Sequence, residues 1–122
     1  MSNPQKIIAV IDDDPEMRAS LAMLLKSYGY GVETFDSAST FLTFAAKCPA
    51  TCLLVDIQLG DITGVELAHQ LMADGYKFAV IFMTAHHDVA TERNAAAAGG
   101  IAFLRKPFPA TTLMDAIKKA NG

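Results

Sequence analysis

Five short apolar runs divide this chain, and each is followed by a stretch whose apolar residues recur at helical spacing. Ile7–Ile11 is the first run; Pro15 suits a first helical turn, and Met17, Leu21, Leu24, Leu25 and Tyr28 continue the helix. Gly29 and Gly31 close it. Val32–Phe35 is a second, more polar run and belongs at a sheet edge. Ser37 or Ser39 caps a helix carrying Phe41, Leu42 and Ala45, which Pro49 stops. Cys52–Val55 is a wholly apolar third strand ending in Asp56, and "QLGDITG" after it is a loop. Val65, Ala68, Leu71 and Met72 mark the next helix, closed near Gly75. Phe78–Met83 is a fourth strand ending in Thr84, and Asp88 caps a helix running through "NAAAAGG". Ile101–Leu104 is a short fifth strand; Lys106 and Pro107 follow, and a last helix carries Leu113, Ala116, Ile117 and Ala120.

Alternation of this kind predicts an α/β architecture: a doubly wound, five-stranded parallel sheet with helices on both faces. Right-handed crossovers restrict the topology, and five strands fit the flavodoxin-like order 2-1-3-4-5. Its switch point lies between strands 1 and 3, at their carboxyl ends. Residues 1–122, 52% hydrophobic, are read as one domain with a sizeable core. A net charge of −3 excludes binding to nucleic acid by overall electrostatics. No apolar run reaches bilayer length and "MSNPQK" lacks a signal-peptide segment, so the expectation is a cytoplasmic protein with no membrane contact. Cys48 and Cys52 read as reduced, partly buried thiols, and His69, His86 and His87 stand at spacings that complete no metal site with them.

The acids are less easily placed. Asp12, Asp13 and Asp14 follow the first strand, Asp56 the third, Thr84 the fourth and Lys106 the fifth. All of them fall at carboxyl strand ends, around the expected switch point. Carboxylates gathered there repel, and a hard divalent cation relieves the repulsion; Mg²⁺ takes one or two carboxylates and pairs with phosphate oxygens. A lysine facing the acids supplies a point charge for a phosphoryl group. A threonine hydroxyl donates to a phosphate oxygen, and a carboxylate can be the nucleophile that becomes an acyl phosphate. Together these parts read as phosphoryl transfer onto an aspartate.

"IDDD", "LLVDIQLGDITG", "FMTAHHD" and "FLRKPF" together resemble the receiver domains of two-component response regulators, across nearly the whole chain. The stretch from "TAHHDV" to "FLRKPF" is most similar to receivers of the nitrogen-fixation and nitrate regulator group, which precede helix-turn-helix output domains. The resemblance implies that Asp56 is the phospho-acceptor. It makes Asp13 a direct Mg²⁺ ligand, with Asp12 acting through water and the backbone carbonyl of Gln58 as a further ligand. Thr84 and Lys106 would bind phosphoryl oxygens, and Lys106-Pro107 would be a cis peptide. A sensor histidine kinase or phosphotransfer protein would supply the phosphoryl group. The surface of the fourth helix, fifth strand and fifth helix would then serve an output domain, lying beyond residue 122, or a homodimer. Gln58 and His86, two residues beyond Asp56 and Thr84, would set the lifetime of the phosphate. Asp14, the remaining acid, reads as a helix cap beside Pro15.

Two departures stand out. Gly60 takes the place of a frequent proline, which would loosen the loop. Phe103 stands where tyrosine is common, so the ring has no hydroxyl to anchor it and a weaker two-state preference is expected. A rival reading is a haloacid-dehalogenase-like phosphatase with Asp12 as nucleophile, since Asp12-x-Asp14 matches its opening motif. Against it, Glu16 replaces a small β-branched residue, and only Asp115 remains after Lys106.

Overall fold

The apolar runs become strands and the periodic stretches helices in the computed structural model, which describes residues 6–86 and 88–121. Residues 1–5, which are most of "MSNPQK", His87 and Gly122 lie outside the described residues. The order is β1 (Ile7–Ile11), α1 (Pro15–Ser27), β2 (Gly31–Phe35), α2 (Ala38–Phe44), a 3₁₀ turn (Ala45–Lys47), β3 (Cys52–Asp56), α3 (Gly64–Ala73), β4 (Ala79–Thr84), α4 (Val89–Ala97), β5 (Gly100–Arg105) and α5 (Ala110–Asn121). The strands form one sheet in the order β2-β1-β3-β4-β5, and every pairing is parallel. This is the expected doubly wound topology, with its switch point between β1 and β3.

Alternating side chains on each strand feed two cores. Ala9, Ile11, Leu53, Val55 and Phe82 pack with Phe41, Leu67, Leu71, Ala95 and Ala98 on the face covered by α2, α3 and α4. Ile8, Val10, Leu54, Ile81 and Met83 pack with Leu21, Leu25, Leu113 and Ile117 on the face covered by α1 and α5. Central β3 is buried along its whole length, as a strand covered on both faces must be. Burial also raises the Cys52 thiol to about 12, which keeps it protonated and unreactive. Among the described residues, no helix is long and apolar enough to cross a membrane.

Helix starts follow the sequence signals. Asp14 caps α1 by accepting from the Glu16 N–H, Ser37 caps α2, and Asp88 caps α4. Thr63 and Glu66 form a reciprocal capping box at α3. Some boundaries differ from expectation. Gly29 alone ends α1, with φ +92°, whereas Gly31 opens β2. α2 stops at Phe44 and tightens into the 3₁₀ turn before Pro49. β4 starts at Ala79 and includes Thr84, and β5 runs from Gly100 to Arg105. Met72, expected on the apolar stripe of α3, is 51% exposed; Leu67, Ala68 and Leu71 form the buried stripe instead.

Candidate functional site

The carboxyl ends of β1, β3, β4 and β5 deliver the polar residues to one edge of the sheet. Asp12 follows β1 and is fully buried. Its Oδ1 accepts from the Asp14 N–H at 2.9 Å. Its Oδ2 accepts from Lys106 Nζ at 3.0 Å. Asp56 ends β3 and is 8% exposed. The Gln58 N–H donates to its Oδ1 at 2.8 Å, and Lys106 Nζ donates to its Oδ2 at 2.5 Å. Asp13 is exposed at the mouth. One carboxylate oxygen from each of Asp12, Asp13 and Asp56 lies within 4.8 Å of the others.

Burial pushes the Asp56 carboxyl above its ordinary value, and the hydrogen bonds from Lys106 and the Gln58 N–H only partly offset this. Burial pulls the Lys106 ammonium down, but its bonds to Asp56 and Asp12 outweigh that and hold it above its ordinary value. The lysine is therefore a charged bridge between two acids. Its backbone N–H donates to the Thr84 carbonyl at 2.7 Å, and its peptide bond to Pro107 is cis.

Asp12, Asp13, Asp56 and Lys106 thus come together as expected. Thr84 ends β4 and is 2% exposed, but its hydroxyl is turned to its own loop. It donates to the His86 carbonyl at 2.9 Å and accepts from the His86 N–H at 3.1 Å. The Gln58 backbone is held beside Asp56, and Gln58 also forms an antiparallel bridge with Thr63. The side chains of Gln58 and His86 are exposed. Phe103 is half-buried on β5 against the core that contains Phe82.

Gly60 holds φ +89°, in the left-handed region. Proline, fixed near about −65°, cannot adopt that turn, so the loop takes a different and defined path. Two site-supporting residues escaped the sequence reading. Arg18 on α1 donates from Nη1 to the Asp12 carbonyl at 2.8 Å. Asp61 accepts from the Ser39 N–H at 3.0 Å and from the Ile62 N–H at 2.9 Å. The signal for Arg18 was its place one helical turn beyond the Asp14 cap, on a helix that starts at the acids. No local signal pairs Asp61 with Ser39, which is 22 residues away.

Carboxylate oxygens are the donors that a hard divalent cation prefers, and the close approach of three acids with a single lysine offsetting them suits such an ion. Comparison with known proteins identifies the family. A family model described as the response regulator receiver domain matches residues 8–118. The chain is 33% identical over 120 residues to the response regulator protein TodT of Pseudomonas putida, covering 98% of this chain and 53% of that protein. It is 38% identical over 115 residues to the transcriptional regulatory protein FixJ of Azorhizobium caulinodans, covering 94% of this chain and 54% of that protein. The chain therefore spans about half the length of the curated relatives it matches. A crystal structure of a CheY-like receiver domain protein from Methanospirillum hungatei superposes with a TM-score of 0.90 at 27% identity, covering 97% of this chain and 95% of that one. With its sheet order, its acid cluster and a family match over nearly its full length, the chain belongs to the response regulator receiver domains, the switch modules of two-component signalling.

Proposed function

We propose that Asp56 accepts a phosphoryl group from a histidine kinase or phosphotransfer protein, and that the acyl phosphate resets the surface of α4, β5 and α5. The observation that carries this reading is Lys106 bridging Asp56 and Asp12 beside Asp13. An Asp56 carboxylate oxygen attacks phosphorus in line. The P–N bond of the donor breaks, and its electron pair leaves with the imidazole. Lys106 exchanges an acid partner for a phosphoryl oxygen, and the Thr84 hydroxyl leaves the His86 backbone to donate to another. Asp12, Asp13, Asp56 and the Gln58 carbonyl would hold Mg²⁺, which when bound supplies charge neutralisation for the phosphoryl oxygens. Gln58, beside Asp56, and His86, beside Thr84, would control the approach of water to the acyl phosphate.

The consequence for output follows from connectivity. Thr84 leads into α4, and Lys106 follows β5. α4 is held by small residues, Ala95 within it and Ala98 at its cap, so few large side chains resist its shift. That face would contact an output domain or a second copy in a cytoplasmic regulator, with no direct role for this domain on nucleic acid. The phosphatase reading loses support, because Asp12 is fully buried, whereas Asp56 keeps some exposure.

Acetyl phosphate with Mg²⁺ is expected to add the mass of one phosphoryl group to the protein, and chelation of the metal or Asp56→Asn is expected to abolish it. Full labelling of Asp56→Asn, seen by intact mass spectrometry, would remove Asp56 from this role.

A further inference from the structure

The loop between β3 and α3, residues 57–63, is closed at its base by the Gln58–Thr63 bridge and by the Gly64 N–H donating to the Ile57 carbonyl at 2.8 Å. Its tip is Gly60 and Asp61. Here the chain turns left-handed at Gly60, so a proline does not stiffen the tip. What fixes it is Asp61. One carboxylate oxygen accepts from the next N–H in the loop, Ile62; the other reaches the Ser39 N–H in the first turn of α2. Gly60 faces the acid cluster: a Cβ placed on it would lie 3.8 Å from Asp13 Oδ2. The tip therefore stands behind the most exposed acid of the site, and its other end carries Gln58.

We propose that Asp61 is a positioning residue for the acid cluster: by tying the loop tip to α2 it holds Gly60 behind Asp13 and Gln58 beside Asp56. The hydrogen bonds to Ile62 and Ser39 also hold the Asp61 carboxyl below its ordinary value, so it stays ionised as an acceptor at neutral pH. Asp61 is exposed, and both bonds lie at the surface. Losing them costs little global stability, yet it frees the tip to move relative to Asp13. This separates a positioning role from a merely structural one.

The proposal rests on the reading of Asp13 and Asp56 as metal-binding acids, and the test separates the two. Mg²⁺ binding is measured by calorimetry on the unphosphorylated protein, alongside amide hydrogen exchange without metal. Asp61→Ala is expected to speed exchange at the Ser39 and Ile62 amides, to leave the melting temperature nearly unchanged, and to weaken Mg²⁺ binding roughly tenfold, as when other groups supporting a ligand are removed. Ser39→Pro deletes the same N–H from the other side; residue 39 is the second of α2, and proline there disfavours the helical Ala38 before it, so the variant's melting temperature is read beside that of Asp61→Ala. It is expected to reproduce the affinity loss, and the double variant to be no worse than either single one. Asp61→Asn, which keeps one acceptor oxygen, is expected to recover part of the affinity. If Asp61→Ala binds Mg²⁺ as tightly as the wild type while Asp13→Ala does not, the positioning role is wrong and the metal site stands. If the wild type binds no Mg²⁺, both are wrong.

Discussion

Lys106→Met is expected to lower the stability of the metal-free protein by about 2 kcal/mol at neutral pH, because it leaves buried acids without their cation. Breaking a fully buried pair costs more, but the lysine side chain is 17% exposed and Asp56 11%, so water screens part of the loss. At this chain length the change corresponds to a fall in melting temperature of roughly 8 °C. The pH dependence gives the assignment its sign. Asp56 already titrates above its ordinary value because burial penalises its charge. A carboxyl raised on folding contributes stability at pH below its unfolded value and loses it as pH rises through the folded value. Without Lys106 the rise is larger, so the gap between variant and wild type should narrow as pH falls from neutrality toward the ordinary carboxylate range. Added Mg²⁺ should narrow it as well, through the same charges. Phosphorylation by acetyl phosphate should slow about a hundredfold even with the fold restored, the usual cost of deleting one stabilising donor. Thermal melts across pH, with and without metal, check the first part. A gap that stays constant with pH would mean Lys106 acts by packing alone.

Gly64→Ala is expected to cost still more stability, for an unrelated reason. Alanine favours a helix over glycine by up to about 1 kcal/mol, and Gly64 opens α3. Packing opposes this. A Cβ at Gly64 would strike the Asp56 carbonyl oxygen, and would lie 2.9 Å from Val55 Cγ1 and 3.1 Å from the Asp56 carbonyl carbon. Backbone cannot swing aside as a flexible side chain can, so the overlap of about 3 kcal/mol or more wins. The helix start would have to back away from the strand that carries Asp56. A fall in melting temperature of roughly 10 °C is the expected result, with a lower yield of phosphorylated protein. An unchanged melt would show that α3 can shift on β3 at little cost.

What the sequence made legible and what it hid have physical causes. β1 and β3 were readable because burial on both faces demands continuous apolar runs, and Asp12, Asp13, Asp56 and Lys106 because each directly follows or ends a strand. Met72 was misplaced because apolar character says nothing about angle; Leu67, Ala68 and Leu71 already fill the buried stripe of α3. The direction of the Thr84 hydroxyl is a rotamer choice made by the nearby His86 backbone, which no spacing encodes. The left-handed turn at Gly60 and the Asp61–Ser39 bond were hidden because they exist only once two distant segments meet.

Lys6 and Asn121 meet at the rim of the sheet opposite the acids. The lysine Nζ donates to the Asn121 carbonyl at 3.4 Å, and Thr51 Oγ1 donates to the Asn121 side chain at 3.3 Å. Lys6 and Asn121 therefore lie about 17 Å, one strand length, from the acid cluster. A dye placed at Lys6 or Asn121 would leave the acid cluster clear.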